Sequence, residues 1–188
     1  MTIDEIFNQL SNHMVEGLMF HSQLSDYFGF LGLKGYQICH KYRYFDENKN
    51  YRKISSYYLC HYDKLIPNTP IKNPNLIPTS WYQYTRHDVD IQTRKNAIQA
   101  GIEKWVNWES ATKKLYESLY GELIKIGEVS AAKELSSYIR DVDFELAEAY
   151  QEHLNLVAID FDISDIIQEQ DKIEKKCKKM LKEIKLYD

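Results

Sequence analysis

The sequence predicts an all-α fold: a four-helix bundle with a long crossover between helices 2 and 3, followed by an additional C-terminal helix. Three observations predict it. Apolar residues recur at three- and four-residue steps over most of the chain, and strand-like alternation is missing. All four prolines fall between positions 67 and 78, in "PNTPIKNPNLIP", so a single segment interrupts the helical pattern. The turns on either side of it are short and contain glycine, which imposes antiparallel hairpins. A connection of roughly 20 residues or more can instead run the length of a bundle and leave helices 2 and 3 parallel.

Helix 1 is read from residues 3 to 30, with the stripe Ile6, Leu10, His13, Gly17, Phe20, Leu24, Tyr27 and Leu31. "GFLGLKG" (29–35) ends it with three glycines. Helix 2 follows over about 36–66, with a break or kink expected at "FDENKN" (45–50), which has loop composition. After the crossover, "SWYQYTRHDVD" is ambiguous. Helix 3 spans about 88–126 on Ile98, Ile102, Trp105, position 109, Thr112, Tyr116, Leu119 and Leu123, and Gly127 fits its stop. Helix 4 covers 128–158, with Leu135, Tyr138, Val142, position 145, Ala149 and Leu156 on one face. Helix 5, about 164–186, takes Ser164 as N-cap and carries the stripe Ile166, Gln170, Ile173, Cys177, Met180 and Ile184. The domain reading is a bundle over 1–160, crossover about 67–88, and a helical extension over 161–188.

Composition narrows the function classes. At 188 residues and 44% apolar, the chain is long enough for one continuous core. A formal net charge of −4 argues against nucleic acid as a partner. Helix 5 is lysine-rich (Lys172, Lys175, Lys176, Lys178, Lys179, Lys182, Lys185), but its interleaved glutamates mark a solvated face. No apolar run approaches the roughly 20 residues of a membrane span, and "MTIDEIFNQL" lacks the blocks of a signal peptide. Three cysteines without a CxxC pair do not make a disulfide framework. The expectation is a cytoplasmic protein with reduced thiols. "ICH" (38–40) and "LCH" (59–61) repeat a Cys-His pair, read as small buried cysteines beside histidines rather than as a zinc site. Tyr27, Tyr116 and Tyr138 are expected to pack the core.

Positions 109 and 145 are glutamates on stripes that should face the core. A buried, unpaired carboxylate costs several kcal/mol, so it must be protonated, paired with a cation or bound to a metal. Glu148 lies one turn beyond Glu145, and Glu16 borders the helix 1 stripe three residues after His13. Oxygen donors from several helices with histidines nearby suit iron or manganese. Glutamates half exposed or paired with Lys or Arg are the alternative.

"EGLMFHSQLSDYFGFLGLKGYQICHKY" (16–42) and "IEKWVNWESATKKLYESLYGELIKIGEVSAAKELSSYI" (102–139) resemble the ferritin superfamily, of the non-haem ferritin type. The resemblance implies Glu16 as the first-helix metal ligand and Glu109 as the third-helix ligand, with Glu145 and Glu148 near the fourth-helix acids. The family's second-helix Glu-x-x-His has no intact counterpart. Ungapped alignment from Gly35 offers Glu47 and Asn50; alignment back from "HYDKLIP" offers Tyr58 and His61. The resemblance further implies iron, singly or as a di-iron pair, with manganese or no metal as alternatives, and assembly as a homo-oligomer. Its activity would be Fe(II) oxidation by oxygen of the ferroxidase type, or iron storage. The other reading is a bundle that has lost its metal site and serves as a structural or protein-interaction module.

Overall fold

The computed structural model describes residues 1–67, 70, 71 and 73–184. Five α-helices follow in order: α1 (Ile3–Phe30), α2 (Lys34–Tyr62), α3 (Ile91–Lys125), α4 (Val129–Ala158) and α5 (Ile163–Glu183), with a short 3-10 segment Thr79–Gln83 in the crossover. Lys185, the last of the lysine row expected on helix 5, lies outside the described residues. No helix among the described residues is long and apolar enough to cross a membrane.

Local chemistry sets the boundaries. Thr2 caps α1 in a capping box: its hydroxyl accepts from the Glu5 amide, and the Glu5 carboxylate accepts from the Thr2 amide at 2.8 Å. Gly32 takes a left-handed backbone (φ +81) and closes α1, and Gly127 (φ +82) closes α3 in the same way. Asp90 caps α3. Asp162, rather than Ser164, caps α5, its carboxylate accepting from the amides of Ser164 and Asp165. A carboxylate two residues upstream reaches both orphan amides, which displaces the serine from that role.

The break expected at "FDENKN" is absent: α2 runs continuously through it. Asp and Asn cost a helix interior only a few tenths of a kcal/mol each. Buried Arg43 on one side and Ile54 and Tyr58 on the other fix the helix against the core and outweigh that cost.

Two apolar clusters show the topology. One joins the end of α1 and the starts of α2 and α3 (Phe28, Tyr36, Ile98, Ile102) to Ala149 and Leu156 of α4. The other joins the start of α1 and the ends of α2 and α3 (Ile6, Leu10, Ile54, Tyr58, Leu119, Leu123) to Leu135 and Tyr138. Helices α2 and α3 are therefore parallel, as the crossover length predicts. The crossover lies on the α1–α3 side: Gln23 accepts from the Leu76 amide at 2.7 Å, and Trp81 packs on Tyr27 and Phe30. Helix α5 packs along α2. Between the two clusters, at the waist of the bundle, the interior is polar.

Candidate functional site

Arg43 organises the waist. Its side chain is 3% exposed, and its guanidinium lies 5.0 Å over the centre of the Trp105 ring. Nη1 sits 2.6 Å from Glu145 Oε1, and Nη2 donates to Glu148 Oε2 at 2.5 Å. Lys176 of α5 donates to the other Glu148 oxygen at 2.5 Å. Burial pushes the Glu148 carboxyl up, but Arg43 and Lys176 together overcome it and hold the group below its ordinary range. Burial raises Glu145, and Arg43 opposes it.

Two carboxyls are left without such a partner. Glu109 is 1% exposed and accepts one hydrogen bond, from the Trp105 indole N–H at 3.0 Å. Burial and repulsion from Glu145 push it up to about 8, against the opposing pull of Arg43 and that indole. Glu47 rises well above the carboxylate range through burial, then through repulsion from Glu145 and Glu109. It lies against Gly17 of α1, where a Cβ would stand 3.2 Å from its Oε1, so the stripe glycine makes room for the carboxyl.

Histidines line the same layer. His21 Nε2 is 3.7 Å from Glu109 Oε1, and His21 Nδ1 is 3.2 Å from His40 Nδ1. Burial drives both imidazoles well below their ordinary range, so both are neutral at pH 7. Two facing Nδ1 atoms require one donor and one acceptor. With His40 donating, His21 keeps its proton on Nε2, directed at Glu109, and the remaining buried orphan is an acceptor, His40 Nε2. His13 stacks on Trp108 with centroids 4.7 Å apart. Its Nε2 meets Thr112 Oγ1 at 2.8 Å. That hydroxyl donates to the Trp108 carbonyl, so His13 is the donor to it.

The structure thus brings together Glu47, Glu109, Glu145 and Glu148 at the waist. Glu16 is half-buried on α1 and has no hydrogen bond or ion pair among the described residues. His61 is exposed near the end of α2, stacked on Tyr57, and stands outside the cluster. The straight α2 is the reason: without a break, the helix carries residue 61 past the waist to the bundle end. Of the two Cys-His pairs, Cys39 and His40 are buried, whereas Cys60 and His61 are exposed, contrary to the expectation for the second pair. Arg43 was missed in the sequence. It stands one turn before Glu47 on α2, on the carboxylate face, but its partners Glu145 and Glu148 lie on α4.

The donors do not fit a di-metal centre. Among the described residues no three His, Cys, Asp or Glu side chains converge to hold a metal ion. Glu145 and Glu148 are committed to the Arg43 guanidinium. A cleft of about 600 Å³ between α2, α4 and α5 reaches this ion pair from solvent.

Solved structures place the fold. A humanized archaeal ferritin superposes with a TM-score of 0.76 over 91% of this chain and 94% of that one, at 16% identity. The open-pore ferritin of Archaeoglobus fulgidus gives 0.74 over 91% and 94%, also at 16% identity. An engineered closed form of the A. fulgidus ferritin gives 0.74 over 93% and 96%. The chain has the ferritin-like fold, with α5 as its additional helix. No protein-family model and no curated protein sequence matches it.

Proposed function

We propose that this chain is a ferritin-like subunit whose bundle is held by an internal arginine–carboxylate cluster in place of a di-iron centre, and that it works as a structural or protein-interaction module. The observation that carries this reading is Arg43, buried between Glu145 and Glu148. A guanidinium supplies fixed charge and directed hydrogen bonds but offers no coordination site and no redox chemistry. Self-association would use the outer face of α4, where Tyr150, Leu154 and Val157 recur at helical spacing and are each about half or more exposed (49%, 58% and 50%).

The test is metal analysis after anaerobic Fe(II) loading, on wild type and Arg43→Met, with solution mass measured in parallel. The proposal expects less than one tightly held iron per wild-type chain and no catalysed Fe(II) oxidation. Two irons per chain with rapid oxygen consumption would overturn it. Leu154→Glu is expected to shift an assembled species toward monomer.

A second reading retains iron as cargo or as a single bound ion. Glu47 and Glu109 are the two carboxyls that Arg43 does not engage, and one cation between them would relieve their mutual repulsion. Glu16, next to Gly17 on α1, would be the third donor. One iron per chain, lost in Glu109→Ala and in Glu47→Ala alike, would favour this reading.

A further inference from the structure

We propose that Cys39 of α2 and Cys177 of α5 are a disulfide-forming pair, closed by a peroxide, which clamps α5 to the bundle. Both side chains are buried, and both are free thiols in this structure. Each thiol shifts the other's titration across the α2–α5 interface, Cys39 upward and Cys177 downward.

The interface is built for that proximity. At Gly35 a Cβ would stand 2.6 Å from the backbone oxygen of Gln170 and 3.0 Å from the Ile173 Cβ, so the two helices touch backbone to side-chain base. Gln170 also accepts from the Tyr36 amide, fixing the register. Cys39 lies four residues beyond Gly35, and Cys177 four beyond Ile173. The helices run parallel, so both cysteines sit one turn past the closest approach, on the facing sides. Disulfides form when Cα atoms are about 4.4–6.8 Å apart, and the glycine at the crossing lets the two helices approach closely one turn before the cysteines. Cys60, exposed on α2, has no thiol partner and serves as the internal contrast.

The chemistry balances with hydrogen peroxide as oxidant. One thiolate attacks a peroxide oxygen, the O–O bond breaks, and that sulfur becomes a sulfenic acid as water leaves. The second thiol attacks the sulfenic sulfur, the S–S bond forms and a second water departs. Two thiols are oxidised by two electrons, and one peroxide is reduced to two waters. Access comes from α5 itself, which packs on the bundle with one side and leaves its lysine face in solvent. Local opening of such an outer helix exposes the pair without unfolding the core.

The consequence reaches the waist. Lys176 adjoins Cys177 and holds Glu148, so a bond at 39–177 ties the helix that carries this lysine to the wall of the cleft beside Arg43.

The experiment treats Cys60→Ser protein, full length and folded, with a small excess of hydrogen peroxide and maps it by non-reducing digestion and intact mass. The expected result is a loss of two hydrogens, a peptide joining Cys39 to Cys177, reversal by dithiothreitol, a higher melting temperature and slower hydrogen exchange confined to α5 and its contacts. Sulfinic or sulfonic acid at either cysteine without the joined peptide overturns the proposal, as do thiols that stay unreacted. Wild type run beside it is expected to show the same internal bond, with Cys60 alone forming intermolecular links.

Discussion

Arg43→Met isolates what the buried cation does. The substitution keeps an unbranched side chain against Trp105 but leaves Glu145 and half of Glu148 without a counter-charge. Breaking a buried pair by removing one partner costs about 3–5 kcal/mol. Two features move the expectation to the lower end. Glu148 keeps Lys176 and is 36% exposed, and Glu145 is 22% exposed, so solvent screens part of the loss. About 3 kcal/mol in a domain of this size corresponds to roughly 6–12 °C in melting temperature. The loss must also depend on pH. Without Arg43, Glu145 rises further above its unfolded value and Glu148 loses part of what holds it below its own, and protonation at low pH removes the repulsion. Thermal and urea unfolding followed by circular dichroism should therefore show the full deficit at pH 8 and a much smaller one at pH 5. Arg43→Met/Glu145→Gln should recover part of it, since one uncompensated charge is gone. A variant within about 1 kcal/mol of wild type at pH 8, or a deficit equal at both pH values, would refute the claim that Arg43 neutralises this cluster.

Glu109→Gln tests the raised carboxyl. A group near 4.5 unfolded and about 8 folded binds more protons in the native state between those values, so wild-type stability falls as pH rises across that window. The glutamine still accepts from Trp105 and cannot ionise. It is expected to flatten the profile and to be about 2 kcal/mol more stable than wild type at pH 8.5, a value discounted from the full linkage because Glu145 and Arg43 share the field; equal slopes would count against it. Thr112→Val removes the acceptor of the His13 N–H and should cost about 1–2 kcal/mol in urea unfolding, whereas a neutral result would mean His13 has another acceptor. Lys176→Met breaks a pair that is 61% exposed on the lysine side, so it should cost under about 1 kcal/mol and vanish in high salt. Mn²⁺ should raise the melting point of Arg43→Met while leaving wild type unmoved, because only the variant frees carboxylates for a cation.

The helices were legible because each stripe spans several turns, and a 3.6-residue period over such lengths has no competing explanation. The crossover was legible because prolines concentrate there. The course of α2 through residues 45–50 was not: loop composition is a local signal, and long-range packing of Ile54, Tyr58 and Arg43 overrides it. Of the site, Glu109 stood out as a charge on an apolar stripe, and the structure buries it at the bundle waist. Arg43 did not stand out, because "KYRYFDENKN" is polar throughout and one arginine in such a run reads as surface. What makes it internal is the pairing with Glu145 and Glu148 on a helix about a hundred residues away, which no local pattern encodes.

The carboxyls at the waist then sort into two kinds by what stands next to them. Glu145 and Glu148 face Arg43, and Glu148 also faces Lys176, so two negative charges meet two positive ones. Glu47 and Glu109 meet no cation directly, and burial with mutual repulsion favours their neutral forms. A cluster with two ionised and two protonated carboxyls is electrically balanced without any bound ion. Half of that balance comes from Lys176 on α5, the helix added beyond the four of the bundle. The fifth helix and the buried arginine are thus parts of one device: one supplies charge from inside, the other from the surface. Deleting α5 at residue 162 should therefore reproduce a portion of the Arg43→Met phenotype, including its dependence on pH. A truncated bundle that loses stability equally at pH 5 and pH 8 would show that α5 contributes apolar cover alone.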